Sequence, residues 1–225
     1  MKRRDYLSHA IFSLFLVTIA CTTVSEIRSL QAQLREKAKR NGAFKSAEEA
    51  VKNQNAACTP LVLDKSVDLE IDDDAPLMLQ DSKTNLYDHF KVLCAAFPDT
   101  QKYIIEVISQ NKGGGMGKTF FLLPKLTFFN KTFQQQESTQ LSGQLHNGFM
   151  KLKWITKWSF IPPAAGTYPI LVEGINTADD LAKFDGKANF QQAQMIFMPM
   201  PTGTLTIHSY PIGKLRITLR KLLDQ

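Results

Sequence analysis

Residues 151–160 read KLKWITKWSF, and the pattern of this stretch decides the class of fold. Leu152, Trp154, Thr156, Trp158 and Phe160 fall on one side of an extended chain; Lys151, Lys153, Ile155, Lys157 and Ser159 fall on the other. Successive strand side chains point to opposite faces, so this is the period-two code of a half-buried antiparallel strand. Downstream, Pro162-Pro163-Ala164-Ala165-Gly166 breaks the chain and Tyr168-Pro169-Ile170-Leu171-Val172 resumes it. Thr177-Ala178-Asp179-Asp180-Leu181-Ala182 reads as a short helix capped by Thr177. The end alternates again, through Leu205-Thr206-Ile207, a Pro211-Ile212-Gly213 turn and Leu215-Arg216-Ile217-Thr218-Leu219. Upstream, apolar runs at 103–108, 120–123 and 126–129 are separated by Gly, Pro, Asp and Asn. Many short strands divided by turn signals predict a mainly β chain, an antiparallel, Ig-like β-sandwich.

Between two of those runs lies NKGGGMGKTFF, Asn111 to Phe121, which ends like a nucleotide-binding phosphate loop. The spacing G-x-x-x-x-G-K-[ST] requires glycine five positions before Gly117, where Lys112 stands; Gly113 comes one residue late. A phosphate loop also opens a helix, whose N-terminal N–H groups hold the anion. Here Phe120-Phe121-Leu122-Leu123-Pro124 follows, and a proline there is incompatible with a first helical stretch. The run is read as a turn between strands, and no nucleotide is expected.

The first twenty residues, MKRRDYLSHAIFSLFLVTIA, have a basic head at Lys2, Arg3 and Arg4 and an apolar run from Ala10 to Ala20. That run is too short to cross a bilayer as a mature helix. Basic head, short apolar middle and small closing residues describe a secretory signal peptide. Val17-Thr18-Ile19-Ala20-Cys21 resembles the lipobox of bacterial lipoproteins, which makes Cys21 the acylated new N-terminus and the membrane anchor. Thr22 stands where an inner-membrane retention aspartate would, which favours the outer membrane. The plain alternatives are an ordinary signal peptide or an uncleaved anchor. Three cysteines are present; with Cys21 acylated, Cys58 and Cys94 remain. In an oxidising periplasm these two can close a loop of about 36 residues, worth roughly 3–4 kcal/mol in the loop-entropy model; otherwise they are buried free thiols. The formal net charge of +6 falls to about +4 once residues 1–20 are removed, which gives no compositional motive for nucleic-acid binding.

Residues 21–57 differ in texture, lacking proline and rich in Ala, Glu, Lys, Gln and Arg, all good helix formers except at the caps. Ser25 can cap a helix from Glu26 that stops at Asn41-Gly42, and Ser46 with Glu49 has capping-box spacing for a second. Ile27, Leu30, Leu34 and Ala38 form a narrow apolar stripe. The basic cluster from Arg35 to Arg40 is either a solvated helix face or a contact for anionic headgroups or peptidoglycan. The expected organisation is a lipoprotein signal peptide at 1–20, an anchor and helical spacer at 21–57, and a β-sandwich domain at 58–225.

No residue set argues for catalysis. His89, His146 and His208 sit in separate segments without the spacing of a zinc site, and Ser142-Gly143 is only the tail of a G-x-S-x-G pattern. Asp68, Glu70, Asp72, Asp73 and Asp74 form an acidic cluster without the glycine that turns a calcium loop, so they are placed on a wet strand face and the turn after it. No metal, cofactor or catalytic residue is expected. Trp154, Trp158 and Phe160 are either core or an exposed face for a ligand or partner.

Three ordered segments resemble the MalM-like maltose-operon periplasmic protein family: Phe121-Leu122-Leu123-Pro124-Lys125-Leu126-Thr127-Phe128-Phe129; Tyr168-Pro169-Ile170-Leu171-Val172 leading to Thr177-Ala178-Asp179-Asp180-Leu181; and Pro199-Met200-Pro201 followed by Gly203-Thr204-Leu205-Thr206-Ile207. The resemblance covers roughly residues 58–220. It implies an exported, sandwich-like protein associated with carbohydrate uptake, and supplies no active-site residues. The leading expectation is a non-enzymatic, lipid-anchored periplasmic protein at the outer membrane, an interaction or structural module of a transport or secretion complex. The alternative is an accessory of maltose or maltodextrin uptake that binds sugar or a transport component.

Overall fold

The computed structural model describes residues 29–81, 86–111, 118–147, 152–174, 206–209 and 212–222. In chain order, helix α1 (29–41) and helix α2 (Ala47–Gln54) lead through a 3-10 turn (Asn55–Ala57) to strands β1 (Thr59–Leu61), β2 (Ser66–Ile71), β3 (Leu77–Asp81), β4 (Leu86–Phe97) and β5 (Tyr103–Gln110). Strands β6 (Lys118–Phe121), β7 (Pro124–Phe129), β8 (Gln135–Gln136), β9 (Thr139–Asn147) and β10 (Leu152–Phe160) follow, and β11 (Gly166–Gly174), β12 (Thr206–Ser209) and β13 (Gly213–Lys221) complete the set. The first sheet runs β1-β4-β11-β7-β8 with β3 also on β4; the second runs β2-β13-β5-β10-β9. The chain is mainly β and the two sheets form a sandwich, as the strand pattern requires. Between these strands pairing is antiparallel except for β1 on β4 and the separate β6–β12 pair, and the single-residue bridges of Phe44 to Met78 and Leu63 to Leu219 are parallel.

The alternation in KLKWITKWSF is realised in β10, where Trp154, Thr156, Trp158 and Phe160 are buried and Lys153 is exposed. Its partner β9 carries a bulge at the Lys157/Trp158 step. Between the sheets, Leu93, Ala95 and Phe97 of β4, Leu126 and Phe128 of β7, and Tyr168, Ile170 and Val172 of β11 meet one side of the core. From the other side come Leu69 and Ile71 of β2, Tyr103, Ile105 and Val107 of β5, Trp158 and Phe160 of β10, and Leu215, Ile217 and Leu219 of β13. Four aromatic rings lock the middle. Phe97 lies 5.2 Å from Phe160 and 5.6 Å from Tyr168, and Phe160 stacks on Phe128 at 4.5 Å. Each such pair adds about 0.5–1.5 kcal/mol beyond the area it buries.

The second sheet keeps its outer face in water, where Asp68–Arg216, Glu70–Lys214 and Glu106–Lys157 pair across neighbouring strands. The first sheet is different. From Tyr168 to Gly174 every residue of β11 is buried, on both faces. A strand covered on both sides reads as a continuous apolar run, which is the texture of Tyr168-Pro169-Ile170-Leu171-Val172. Pro169 is tolerated because the β7 ladder begins only at Ile170.

What covers the outer face is the helical segment from residue 29 to residue 57, the described part of the expected spacer. Ala50 and Val51 of α2, with Ala47 and Phe44, pack on Met78, Phe90, Val92, Phe129 and Leu171. Leu34 and Ala38 of α1 pack on Leu77, beside Ala43 and Tyr87. Phe44 joins β3 as a one-residue strand: its N–H donates to Leu77 O and its carbonyl accepts from Leu79 N–H, both at 2.9 Å. The caps foreseen from sequence explain why the segment is cut into two short helices. Gly42, at φ +79°, donates to Ala38 O and ends α1 in the left-handed conformation that glycine adopts freely. Ser46 Oγ accepts from Glu49 N–H, and the Glu49 carboxylate reaches back to Lys45 N–H at 2.7 Å. The expected boundary at 57/58 is therefore not a packing boundary. Residues 1–28, including the signal peptide, Cys21 and the Ser25 cap, lie outside the described residues, as do the glycine run at 112–117 and the helix expected at 177–182.

At the far end of the sandwich, Asp99 fastens the β4–β5 loop to the last strand. Its carboxylate accepts from Tyr103 Oη at 2.7 Å and Gln101 N–H at 3.0 Å, and Lys221 Nζ lies 2.6 Å away. The Lys221 hydrogen bond, then those of Tyr103 and Gln101, hold Asp99 down at about 2. Burial, and then the Asp99 carboxylate, push Tyr103 up to about 12. The two shifts bound stability from both sides. Asp99 contributes fully above the ordinary aspartate range and its share is lost as pH falls towards about 2. Tyr103 contributes below its ordinary range and its share is lost as pH rises through about 12. Thermal melts across pH should show both losses, and Lys221→Met should move the acid loss to higher pH; a variant with an unchanged acid limb contradicts the assignment.

Candidate functional site

The aromatic face singled out from sequence is not a surface. Trp154, Trp158 and Phe160 are 2%, 3% and 2% exposed. Trp158 and Phe160 belong to the core between the sheets, because the apolar side of β10 is the side that turns towards the first sheet. A ligand or partner cannot stack on these rings in the folded protein. Trp158→Ala is expected to cost about 3–5 kcal/mol, as aromatic-to-alanine changes in cores do. Urea unfolding measures it, and a loss below about 1 kcal/mol would contradict the packing.

Cys58 and Cys94 are joined in a disulfide, with Cα atoms 5.6 Å apart. Cys58 follows the 3-10 turn and packs with the cluster beneath α2; Cys94 lies on β4. The bond thus ties the end of the helical cover to the strand it covers. The acidic cluster divides as its alternation implies. Asp68 and Glu70 are exposed on β2 while Leu69 and Ile71 are buried. The Arg216 hydrogen bond holds the Asp68 carboxyl below its usual range. Among the described residues no group of three or more His, Cys, Asp or Glu converges in metal-binding geometry. After the glycine run the chain enters β6, an extended strand rather than the helix a phosphate loop would open.

A polar group that sequence reasoning missed lies on the covered face of the first sheet. Asp88 of β4 and Glu173 of β11 are buried, and Gln80 of β3 sits against both. Gln80 Nε2 donates to Asp88 Oδ2 at 3.0 Å, to Gly174 O at 3.1 Å and, more weakly, to Glu173 Oε2 at 3.4 Å. Lys125 of β7 reaches Glu173 Oε1 at 2.9 Å, its own side chain 52% exposed against 3% for the glutamate. Asp88 Oδ1 also accepts from His89 N–H at 3.0 Å. One amide and one ammonium therefore satisfy carboxylates on β4 and β11 and clamp β3 and β7 to them. Two carboxylates in one place suggest acid–base chemistry. Here a glutamine amide lies between them. The group acts as a fastener. Glu173 carries a signal that could have found it, a charge closing the apolar run 168–172. Gln80→Ala leaves buried carboxylate oxygens short of a donor and should cost about 1–3 kcal/mol. Denaturant titration tests this, and a change within about 0.5 kcal/mol would remove Gln80 from the fastener.

A cavity of about 350 Å³ opens where α1 ends, between Lys37, Asn41 and Phe44 on one side and Asp74 and Leu77 on the other, with Glu49 at its rim. Behind it His89 is buried and donates from Nδ1 to Ala75 O at 2.7 Å. Burial pulls its pKa below the ordinary histidine range. The Ala75 carbonyl opposes this, the Lys37 charge adds to it, and Asp73 and Asp72 oppose it. A neutral ring with Nδ1–H engaged makes His89 a brace for the turn at 72–76. His146 is exposed on β9, a strand of the second sheet. No protein-family model matches the chain, no curated protein matches it, and no solved structure matches it.

Proposed function

We propose that this chain is a non-enzymatic envelope lipoprotein, cleaved before Cys21, acylated there and held in the periplasm at the outer membrane. Its β-sandwich is the working part, an interaction module within a transport or secretion assembly. The observation that carries the reading is the cysteine arithmetic. Of three cysteines, Cys58 and Cys94 are consumed in one bond, and the thiol left over is the one that closes the apolar leader. Disulfides persist in oxidising compartments, which agrees with export.

An interaction role draws on the shape of the second sheet. Its β2 edge carries Asp68 and Glu70, whereas its β9 edge, TQLSGQLHN, has nine residues and no Lys, Arg, Asp, Glu or Pro. Charged residues and proline are what natural edges use to refuse another strand. An edge of the described residues that lacks charges and proline, interrupted only by the bulge at Leu141, suits addition of a partner strand. The sugar-uptake alternative keeps the family resemblance but loses its stacking platform, since Trp154 and Trp158 are core.

The test is made in the native envelope. Intact-mass analysis should give a chain that begins at an acylated Cys21, and Cys21→Ser should move the protein out of the membrane fraction or leave its leader uncleaved. Affinity purification from detergent-solubilised envelopes should then return a defined set of membrane-complex subunits. An unprocessed, unacylated wild-type leader sinks the anchor, and recovery of the protein alone sinks the module.

A further inference from the structure

The cavity at the end of α1 is built by segments that hydrogen bonds hold in place. Gly42 N–H donates to Ala38 O and closes the helix, and Phe44 is then paired through its backbone to Leu77 and Leu79 of β3. Across from them, Ala75 N–H donates to Asp72 O at 3.2 Å and closes the turn that leads into β3. Glu49 of α2 is fixed by the bond its carboxylate accepts from Lys45 N–H. The space of about 350 Å³ between them is therefore preformed, and its size falls in the range of small-ligand pockets.

Its lining has two characters. Phe44 and Leu77 are apolar, and the Phe44 ring is seated edge-on against Phe90 at 5.6 Å. Lys37 and Asn41 of α1, Glu49 of α2 and Asp74 of the turn are polar. The two carboxylates favour a cationic group, as does the C-terminal end of a helix, which carries partial negative charge. The turn adds to this demand. Ala75 O can only accept, so the His89 ring donates to it from Nδ1 and keeps Nε2 as an acceptor. That nitrogen and Asp72 Oδ1 are buried, with no hydrogen-bond partner among the described residues. This wall offers acceptors and lacks donors. Lys37 acts in the opposite sense. Its ammonium would repel a simple cation, whereas a ligand that also carries a carboxylate would use it. Two opposite charges and an apolar body on one small molecule describe an amino acid.

We propose that this cavity binds a free α-amino acid with an apolar side chain. Its ammonium is held by Asp74 and Glu49, its carboxylate by Lys37 and Asn41, and its side chain lies against Phe44 and Leu77. The site does not depend on the anchored reading above and adds a small-molecule ligand to the interaction module.

The full chain, purified in a non-ionic detergent, is titrated with leucine near neutral pH and followed by its amide chemical shifts. Two analogues that each lack one charge, isoamylamine and isocaproate, are titrated beside it. Leucine should give saturable shifts at Gly42, Phe44 and Ala75, and none at Lys157 on the second sheet. Each analogue should bind roughly tenfold more weakly, the loss expected when a charged group is left without its hydrogen-bonded partner. Asp74→Asn should weaken leucine by a similar factor and leave isocaproate unchanged, and Lys37→Met should weaken leucine and leave isoamylamine unchanged. The analogues keep the test decisive in the wild-type protein if either variant folds poorly. Either analogue binding as tightly as leucine overturns the two-charge recognition, and the lack of saturable leucine shifts at these residues overturns the site.

Discussion

Burial of both faces of the first sheet is the constraint from which most of the molecule follows, because a sandwich of two sheets can by itself hide only one face of each. The second sheet accepts this and puts Lys, Arg, Asp and Glu on its open side. The first sheet instead carries Met78, Phe90, Val92, Phe129 and Leu171 on its outer side, with Asp88 and Glu173 further along. Burying a side chain such as Val51 or Phe90 contributes about 1.5–3 kcal/mol, so a bare face of this composition would be costly to leave in water. Something had to cover it, and the chain supplies the cover from its own N-terminal helices.

That cover explains what was legible in the sequence and what was not. β10 and β2 could be read because one face is wet, so the alternation in KLKWITKWSF and in Val67-Asp68-Leu69-Glu70-Ile71 survives intact. The run 168–172 could be read as a strand but its burial on two sides could not, since a continuous apolar run does not say what lies above it. The helices were legible as helices, down to Gly42 and Ser46, while their docking was hidden. Its contacts use few apolar residues, chiefly Leu34, Ala38, Phe44, Ala50 and Val51, spread through a polar segment. The fastener was harder still. Gln80, Asp88, Lys125 and Glu173 come from four strands, and only the register of β3, β4, β7 and β11 brings them together.

Magnitudes separate the two kinds of charge on this protein. The pairs on the second sheet are largely exposed on both partners, and such pairs contribute about 0–1 kcal/mol each. Their value lies more in solubility and in setting register across β2 and β13 than in stability. Glu173 is a different case, since a carboxylate 3% exposed depends on a paired opposite charge and on hydrogen bonds to offset its burial. Lys125, half in water, can supply that charge without itself paying full desolvation. Glycine and aromatic positions elsewhere shape the chain, but this buried carboxylate is where a polar mistake would be felt most.

The disulfide then has a role beyond general stability. Closing a 36-residue loop is worth about 3–4 kcal/mol in the loop-entropy model, comparable to burying one or two of the side chains under α2. The cover is held on the sheet by its apolar contacts and by this bond together. What those contacts cannot do is resist a sustained pull, because they are lost one after another once α1 and α2 begin to peel. Cys58–Cys94 lies at the end of the helical segment, where it joins β4 inside the first sheet. Placed there, the bond holds the end of the helical cover to the sandwich itself.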